Sequence, residues 1–335
     1  MGELAHKIAV LGAGSWGTAL AIELSARQPV VLWGHTQAEI SALAQDRENK
    51  HYLPGIAFPA QLSLSTDLQA AISDADEVLV VVPSHAFAAV CGQIAQLRPD
   101  LPSLSWATKG FDPASRSLLS EVAARALPNT DLAVVSGPTF AREVATGMPT
   151  AITIAASNPE HGQRLAAYLR SDSLRPYTSS DLVGVQVGGA CKNVMAIAAG
   201  ISDGLGFGAN ARAALITRGL SEITRLGLQL GGQMETFMGL AGLGDLTLTC
   251  TDDQSRNRRM GLALARGLSI AQAKAEIGQE VEGVNTAREV WAKAQEMGVE
   301  MPITEQTYKV LYEQLDPREA VSNLLSREVK SEQPG

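Results

Sequence analysis

The run Ile8-Ala9-Val10-Leu11-Gly12-Ala13-Gly14-Ser15-Trp16-Gly17-Thr18-Ala19-Leu20 sets four apolar residues, three spaced glycines and a second apolar segment end to end. Ile8 to Leu11 shows no polar alternation, which predicts a strand covered on both faces. A G-x-G-x-x-G turn follows at once, and Thr18 to Arg27 continues as a helix. In such a turn the first glycine permits the sharp bend, the second lets a pyrophosphate approach the backbone, and the third lets helix pack on strand. The helix N-terminus then faces the phosphates. Glycine-rich turns also arise for purely steric reasons, so it is the placement between strand and helix that points to a dinucleotide. The apolar length from Ile8 to Leu24 imitates a signal or membrane segment, but Gly12, Gly14 and Gly17 interrupt it and no small-residue cleavage pattern follows.

Outward from this turn, short β-branched runs alternate with helical segments through roughly Ser180, the pattern of a parallel sheet flanked by helices. The expected strands are Lys7 to Leu11, Val30 to Trp33, Glu77 to Val82, Ser103 to Ala107, Leu132 to Val135, Ala151 to Ala155 and Leu174 to Thr178. After Asp181 the β-rich runs nearly vanish and apolar residues recur at helical spacing. Helices are expected over Val185 to Gly200, Ala209 to Leu226, Asp253 to Arg266, Thr286 to Met297 and Ile303 to Tyr312. The fold class is therefore α/β: an N-terminal Rossmann-like, doubly wound, mostly parallel sheet (1–180), an all-α C-terminal domain (181–326) and a polar tail (327–335). Two domains also suit 335 residues with 45 % hydrophobic content, at a prior of about 150 residues per domain.

Thirty-five acids against 27 Lys plus Arg give a formal charge of −8, which repels nucleic acid and anionic lipid. An anionic substrate must then find a local basic pocket. Cys91, Cys191 and Cys250 are odd in number and widely spaced, which supports neither a disulfide framework nor a metal knuckle and suits a reducing cytoplasm. No metal site is read from the sequence.

Val30-Val31-Leu32-Trp33 would end in Asp or Glu if the site were tuned to the ribose 2'-hydroxyl of NAD. Here Gly34-His35-Thr36 follows. With no carboxylate to repel a 2'-phosphate, and with His35 able to donate hydrogen bonds to it, NADP(H) is favoured and NAD(H) is the second cofactor. His35 as an ordinary loop residue is the plainer alternative. Pro83-Ser84-His85 follows the third apolar strand at the sheet's carboxyl edge, where a cofactor-facing loop competes with a simple turn opening a helix; for His85 the turn is preferred.

Lys192 stands in Val185-Gln186-Val187-Gly188-Gly189-Ala190-Cys191-Lys192-Asn193-Val194-Met195-Ala196, a helix apolar nearly all round and so expected to be buried. Three and four residues away lie Gly188, Gly189, Met195 and Ala196, none able to neutralise an ammonium. Desolvation lowers a lysine pKa toward the range where proton exchange is efficient. Lys192 is thus a candidate general acid and base, and Asn193 a candidate for holding a substrate hydroxyl. The alternatives are that Lys192 snorkels outward or pairs with a carboxylate on another element.

Asp252-Asp253-Gln254-Ser255-Arg256-Asn257-Arg258-Arg259 places an acid before a run of donors. Arginine presents a planar fork to phosphate, with Ser255 and Asn257 adding hydrogen bonds. A solvated helix face with an Asp252 to Arg256 pair reads much the same. Asp245, in Ala241-Gly242-Leu243-Gly244-Asp245, either supplies the carboxylate that Lys192 lacks or caps a helix. Lys109, and the Ser136-Gly137-Pro138-Thr139 stretch, end the fourth and fifth expected strands at the ligand-binding edge.

Taken together, GAGSWGTALA, ATKGFD, SGPTFAREVATGMPTA, CKNVMAIAAGISDGLGFGANARAALITRG, AGLGDLTLTC, SRNRRMG and VEGVNTA resemble the bacterial NAD(P)-dependent glycerol-3-phosphate dehydrogenase family along almost the whole chain. The resemblance implies reduction of dihydroxyacetone phosphate to sn-glycerol 3-phosphate, reversibly, in the cytoplasmic supply of glycerophospholipid synthesis, by a homodimer. It implies Lys192 as catalytic acid and base. It implies Lys109, Gly137, Thr139, Lys192, Asn193, Asp245, Ser255, Arg256 and Asn257 at the substrate. At the cofactor it implies Gly12, Gly14, Ser15, Trp16, Gly17, His35, Tyr52, Lys109, Ala141, Arg256, Val281 and Glu282. His35 stands where the family often has Arg, and Thr139 keeps the hydroxyl of a more frequent Ser. Two rivals remain from the residues alone: a dehydrogenase of another hydroxy acid, which needs a carboxylate site, and a silent NADP-binding sensor, which shows no turnover.

Overall fold

The computed structural model describes residues 6–327, so residues 328–335 of the expected tail lie outside the described part. Eight strands form one sheet: β1 (Ile8–Leu11), β2 (Val30–Trp33), β3 (Leu62–Ser65), β4 (Glu77–Val80), β5 (Ser103–Trp106), β6 (Asp131–Ser136), β7 (Thr150–Ala156) and β8 (Leu174–Ser179). Their spatial order is β3-β2-β1-β4-β5-β6-β7-β8. All neighbours pair in parallel except β6 and β7. The order reverses between β1 and β4, the switch point at which open α/β sheets leave a crevice beyond the strands' carboxyl ends.

Burial explains why the central strands lack polar alternation. Ala9, Leu11, Val78 and Val80 pack into one core while Ile8, Val10 and Leu79 pack into another on the opposite face. Successive side chains point to opposite sides, so both faces must be apolar. β3 was not expected from the sequence. Its Leu62-Ser63-Leu64-Ser65 is four residues at a sheet edge, and only Leu62 is buried, too weak a pattern to read without its neighbour.

Helix Leu182–Gly204 follows β8 and organises the second half. Asp181 caps it, its Oδ1 accepting the Gly184 N–H at 2.8 Å, and every residue from Gly184 to Ser202 is buried. Its length and hydropathy would let it cross a membrane, yet 89 % of that apolar window lies inside the protein. Packing this close requires glycine. A Cβ at Gly188 would meet the Ala241 carbonyl at 2.4 Å, and one at Gly200 the Arg258 carbonyl at 2.1 Å. Facing it, a Cβ at Gly261 would meet the Ile197 carbonyl at 2.0 Å. The helix is longer at both ends than expected, while the one anticipated over Asp253 to Arg266 runs Arg256–Ala265. Ser255, not an upstream aspartate, caps the latter by accepting the Arg258 N–H at 3.2 Å.

Candidate active site

At the switch point the glycine turn takes the form its spacing requires. Gly12 has φ +129°, and a Cβ there would strike the Val81 carbonyl at 2.5 Å. A Cβ on Gly17 would lie 1.9 Å from the Gly12 carbonyl, whereas one on Gly14 would meet nothing within 4 Å. The first and third glycines are thus demanded by packing, and the second opens onto free space. No side chain caps helix Ser15–Ser25, so its first N–H groups are available to an anion. Ser15 Oγ donates to the Tyr52 carbonyl at 3.1 Å, and the buried indole Nε1 of Trp16 has no partner. This uncapped helix end, with an open cradle and an orphaned donor beside it, fits a dinucleotide.

The turn opens into a cleft of about 1220 Å³ between the sheet's carboxyl edge and the helical half. Of the expected residues, Gly12, Gly14, Ser15, Trp16, His35, Tyr52, Lys109, Thr139, Ala141, Lys192, Asn193, Ser255, Arg256, Asn257 and Glu282 line it. Val281 is fully buried beneath Glu282 as the N-cap of helix Glu282–Glu296. Gly137, at φ +141°, packs on Ile152, and its carbonyl accepts from Thr139 Oγ1 at 3.2 Å.

Lys192 is 6 % exposed and Asp245 is 0 % exposed. Of the alternatives for this lysine, the structure takes pairing across elements. Lys192 Nζ donates to Asp245 Oδ1 and, at 2.9 Å, to Thr249 Oγ1. Thr249 spends its own hydrogen on the Asp245 carbonyl at 2.6 Å. Lys109 Nζ reaches the other carboxylate oxygen, Oδ2, at 2.8 Å. One carboxylate therefore holds two ammonium groups. Burial lowers the Lys192 pKa from 10.5 to about 7, Asp245 opposing and Lys109 assisting the shift. An amine whose pKa is brought down toward neutrality can give or take a proton at little cost.

The arginine run divides. Arg258 turns inward to Asp203 and to Asp253, the latter at 2.8 Å, and so holds the fold together. Arg256 lines the cleft at the start of its helix, 3.5 Å from Gln279 Oε1. No surface pair joins Asp252 to Arg256, because Asp252 precedes the helix and accepts from the Gln254 N–H at 2.8 Å. Asn257 links the walls: its Nδ2 donates to Asn193 Oδ1 and its Oδ1 accepts the Gly283 N–H, both at 2.9 Å. Glu282 has its carboxyl raised to about 7 by burial, against the pull of Arg256 and Lys109.

Several lining residues were set aside or passed over in the sequence. His85 lines the cleft at the start of helix Ser84–Leu97, so the preferred simple turn is not the whole account. Arg259 lines it too, with a buried Nε that has no partner. Position before a helix was a signal for the first, and membership of the arginine run for the second. Glu39 and Gln279 carried no signal.

The sheet order, the glycine turn at its switch point and a lysine of lowered pKa in the facing wall together define a dinucleotide-dependent dehydrogenase. Comparison with known proteins narrows this. Residues 7–162 match the NAD-dependent glycerol-3-phosphate dehydrogenase N-terminus and residues 181–322 its C-terminus. Glycerol-3-phosphate dehydrogenase [NAD(P)+] of Methylococcus capsulatus is 56 % identical over 332 residues, covering 98 % of each chain. That of Aliivibrio fischeri is 55 % identical over 326 residues, 96 % of this chain and 95 % of its own. The crystal structure of glycerol-3-phosphate dehydrogenase from Coxiella burnetii superposes with a TM-score of 0.94 at 46 % identity, covering 96 % of this chain and 99 % of that one. This chain belongs to the NAD-dependent glycerol-3-phosphate dehydrogenase family.

Proposed function

We propose that this chain reduces dihydroxyacetone phosphate to sn-glycerol 3-phosphate with NADPH or NADH, reversibly, and so feeds glycerophospholipid synthesis. The observation that carries the proposal is the Lys192 amine, desolvated and held by Asp245 and Thr249, in the wall of a cleft whose opposite rim is an open glycine turn. The cofactor would be held by Gly12, Gly14, Ser15, Trp16, Tyr52 and Ala141, with His35 toward the adenosine end, Lys109, Arg256 and Glu282 closing from the other side, and Gly17 and the buried Val281 supporting these contacts from beneath. When bound, the nicotinamide supplies the electron pair and hydrogen that turn the C2 ketone into an alcohol.

The protein's own groups do the rest. Lys192 gives its proton to the C2 oxygen and recovers it in the reverse direction. Asp245 fixes the amine's direction and, through Lys109, adds a second positive charge that draws the ketone oxygen and stabilises the charge developing on it. Asn193, fixed by Asn257, offers a donor to a substrate hydroxyl, and Thr139, whose own hydrogen goes to the Gly137 carbonyl, offers its Oγ1 as an acceptor. Ser255, Arg256 and Asn257, at the N-terminus of helix Arg256–Ala265, bind the phosphate through side chains and free N–H groups. A doubly charged substrate bound by a chain of net charge −8 needs such a local basic site, and phosphate binding then orients the ketone.

The division between domains falls at Ser180–Asp181, a reading supported by β8 ending at Ser179 and the long helix starting at Leu182. A cytoplasmic location is supported by three free, buried cysteines, with burial raising Cys91 and Cys250 to about 12. Large exposed apolar side chains at Met234, Met238 and Leu243 support a homodimer. The activity is tested by the loss of NADPH absorbance on adding dihydroxyacetone phosphate and by its gain when NADP+ meets glycerol 3-phosphate, with 3-hydroxybutyrate and 6-phosphogluconate as the alternative substrates of that oxidation. No oxidation of NADPH by dihydroxyacetone phosphate and no reduction of NADP+ by glycerol 3-phosphate would together reject the proposal.

A further inference from the structure

The carboxyl end of β2 carries no acid, but the chain brings one back a turn later. Helix Gln37–Asp46 starts just beyond His35 and has Glu39 in its first turn. Between Trp33 and Asp46 the residues lining the cleft are Trp33, Gly34, His35 and Glu39. The bend is tight: a Cβ at Gly34 would lie 2.8 Å from Ile40 Cδ1, so the helix start is pressed against the strand end. Gln37 is occupied elsewhere, accepting from Thr66 Oγ1 at 3.0 Å and donating to Ser41 Oγ at 3.1 Å. No ion pair or side-chain hydrogen bond neutralises Glu39 among the described residues, and the basic cleft residues Lys109, Arg142, Lys192, Arg256 and Arg259 come from other elements.

We infer that Glu39 sets the choice between NADPH and NADH by placing a carboxylate where the adenosine ribose would lie. This rests on the cofactor placement proposed above. A carboxylate there repels a 2'-phosphate and accepts a hydrogen bond from a 2'-hydroxyl, while His35 supplies the opposing attraction to phosphate. The two side chains pull against each other, so neither cofactor is excluded and Glu39 fixes the ratio. Glu39 is partly exposed on a surface helix, so its replacement leaves the core intact.

Trp16 and Trp33 both line the cleft, and quenching of their fluorescence reports binding without turnover. In wild type, Glu39→Gln and Glu39→Lys, the dissociation constants of NADPH and NADH are measured at low and high salt. Removing one like charge near the phosphate should lower the NADPH:NADH Kd ratio by about fivefold in Glu39→Gln, through tighter NADPH binding. Glu39→Lys should lower it further, and salt should reduce the wild-type ratio more than that of Glu39→Gln. An unchanged ratio with both nucleotides still binding would overturn the role of Glu39 alone. Failure of both nucleotides to quench the wild-type protein would overturn the cofactor placement and this inference together.

Discussion

Asp245 holds two ammonium groups at once, and most of the chemistry at the residue scale follows from that. Burial alone would strip Lys192 of its proton at neutral pH; the carboxylate is what keeps a usable fraction charged. Lys192→Ala should lower kcat by about 10²- to 10⁴-fold, the range of a lost general acid, with tryptophan quenching by NADPH unchanged. Near-normal turnover would remove the lysine from the reaction. Asp245→Asn deletes the influence that raises the Lys192 pKa, so the basic limb of the kcat profile for reduction, where the proton is lost, should move to lower pH. A limb that stays in place would mean that another group donates the proton. Lys192 was legible in the sequence because an amine in an apolar helix stands out against its period. Its partner was legible only as one of two choices, since Asp245 comes from a helix 53 residues on and no periodicity links them. Glu39 was invisible, because the rule for β2 looks at the strand end and the acid arrives from the next helix.

Single elements show where local pattern suffices and where it does not. Strands covered on both faces declare themselves as unbroken apolar runs, and β1, β2 and β4 were found that way. β3, half exposed at the edge, had too little apolar surface to declare itself. Helix Leu182–Gly204 was recognised but cut short at both ends, because Asp181 as cap and Gly204 as terminus act through hydrogen bonds and packing that a 3.6-residue period does not report. Its glycines are steric requirements. Gly200→Ala would press a methyl against the Arg258 carbonyl and should destabilise the protein by about 1–3 kcal/mol, seen as a lower urea midpoint. A midpoint equal to wild type would show that the two helices can part without cost. Ser255 likewise serves as cap at the position proposed to bind phosphate, so the sequence could not separate the structural from the functional explanation.

Across the whole molecule, buried carboxyls make stability depend on pH in an unusual sense. Burial raises Glu222, Glu282 and Glu289 from 4.5 to about 7. Glu222 does so even while accepting the Ile303 and Thr304 N–H groups at 2.7 and 3.2 Å. Between pH 4.5 and 7 the folded chain therefore binds more protons than the unfolded one, and unfolding free energy falls as pH rises. Lys192 acts oppositely from pH 7 to 10.5, where the unfolded chain binds the extra proton. The urea midpoint should accordingly decline from about pH 5 to 7, and Glu222→Gln should make that decline shallower; an unaltered slope would acquit Glu222. The alternation of strands and helices, and the change of texture near Asp181, made the architecture readable. The pairing of β6 against β7 was not, because one antiparallel neighbour leaves no mark on either strand's composition.

Helix Leu182–Gly204 meets the sheet at Gly189, where a Cβ would lie 2.9 Å from Ser136 Oγ and 3.7 Å from the Lys109 stem, and it meets the helical half at Gly188 and Gly200. It is the binding of a book. At the fore-edge, Gln279 donates to the His51 carbonyl at 3.2 Å and Gln254 to Glu143 Oε1 at 3.0 Å, two thin ties between the covers. The amine is sewn into that binding beside its carboxylate, so its aim is set by the spine and not by either cover.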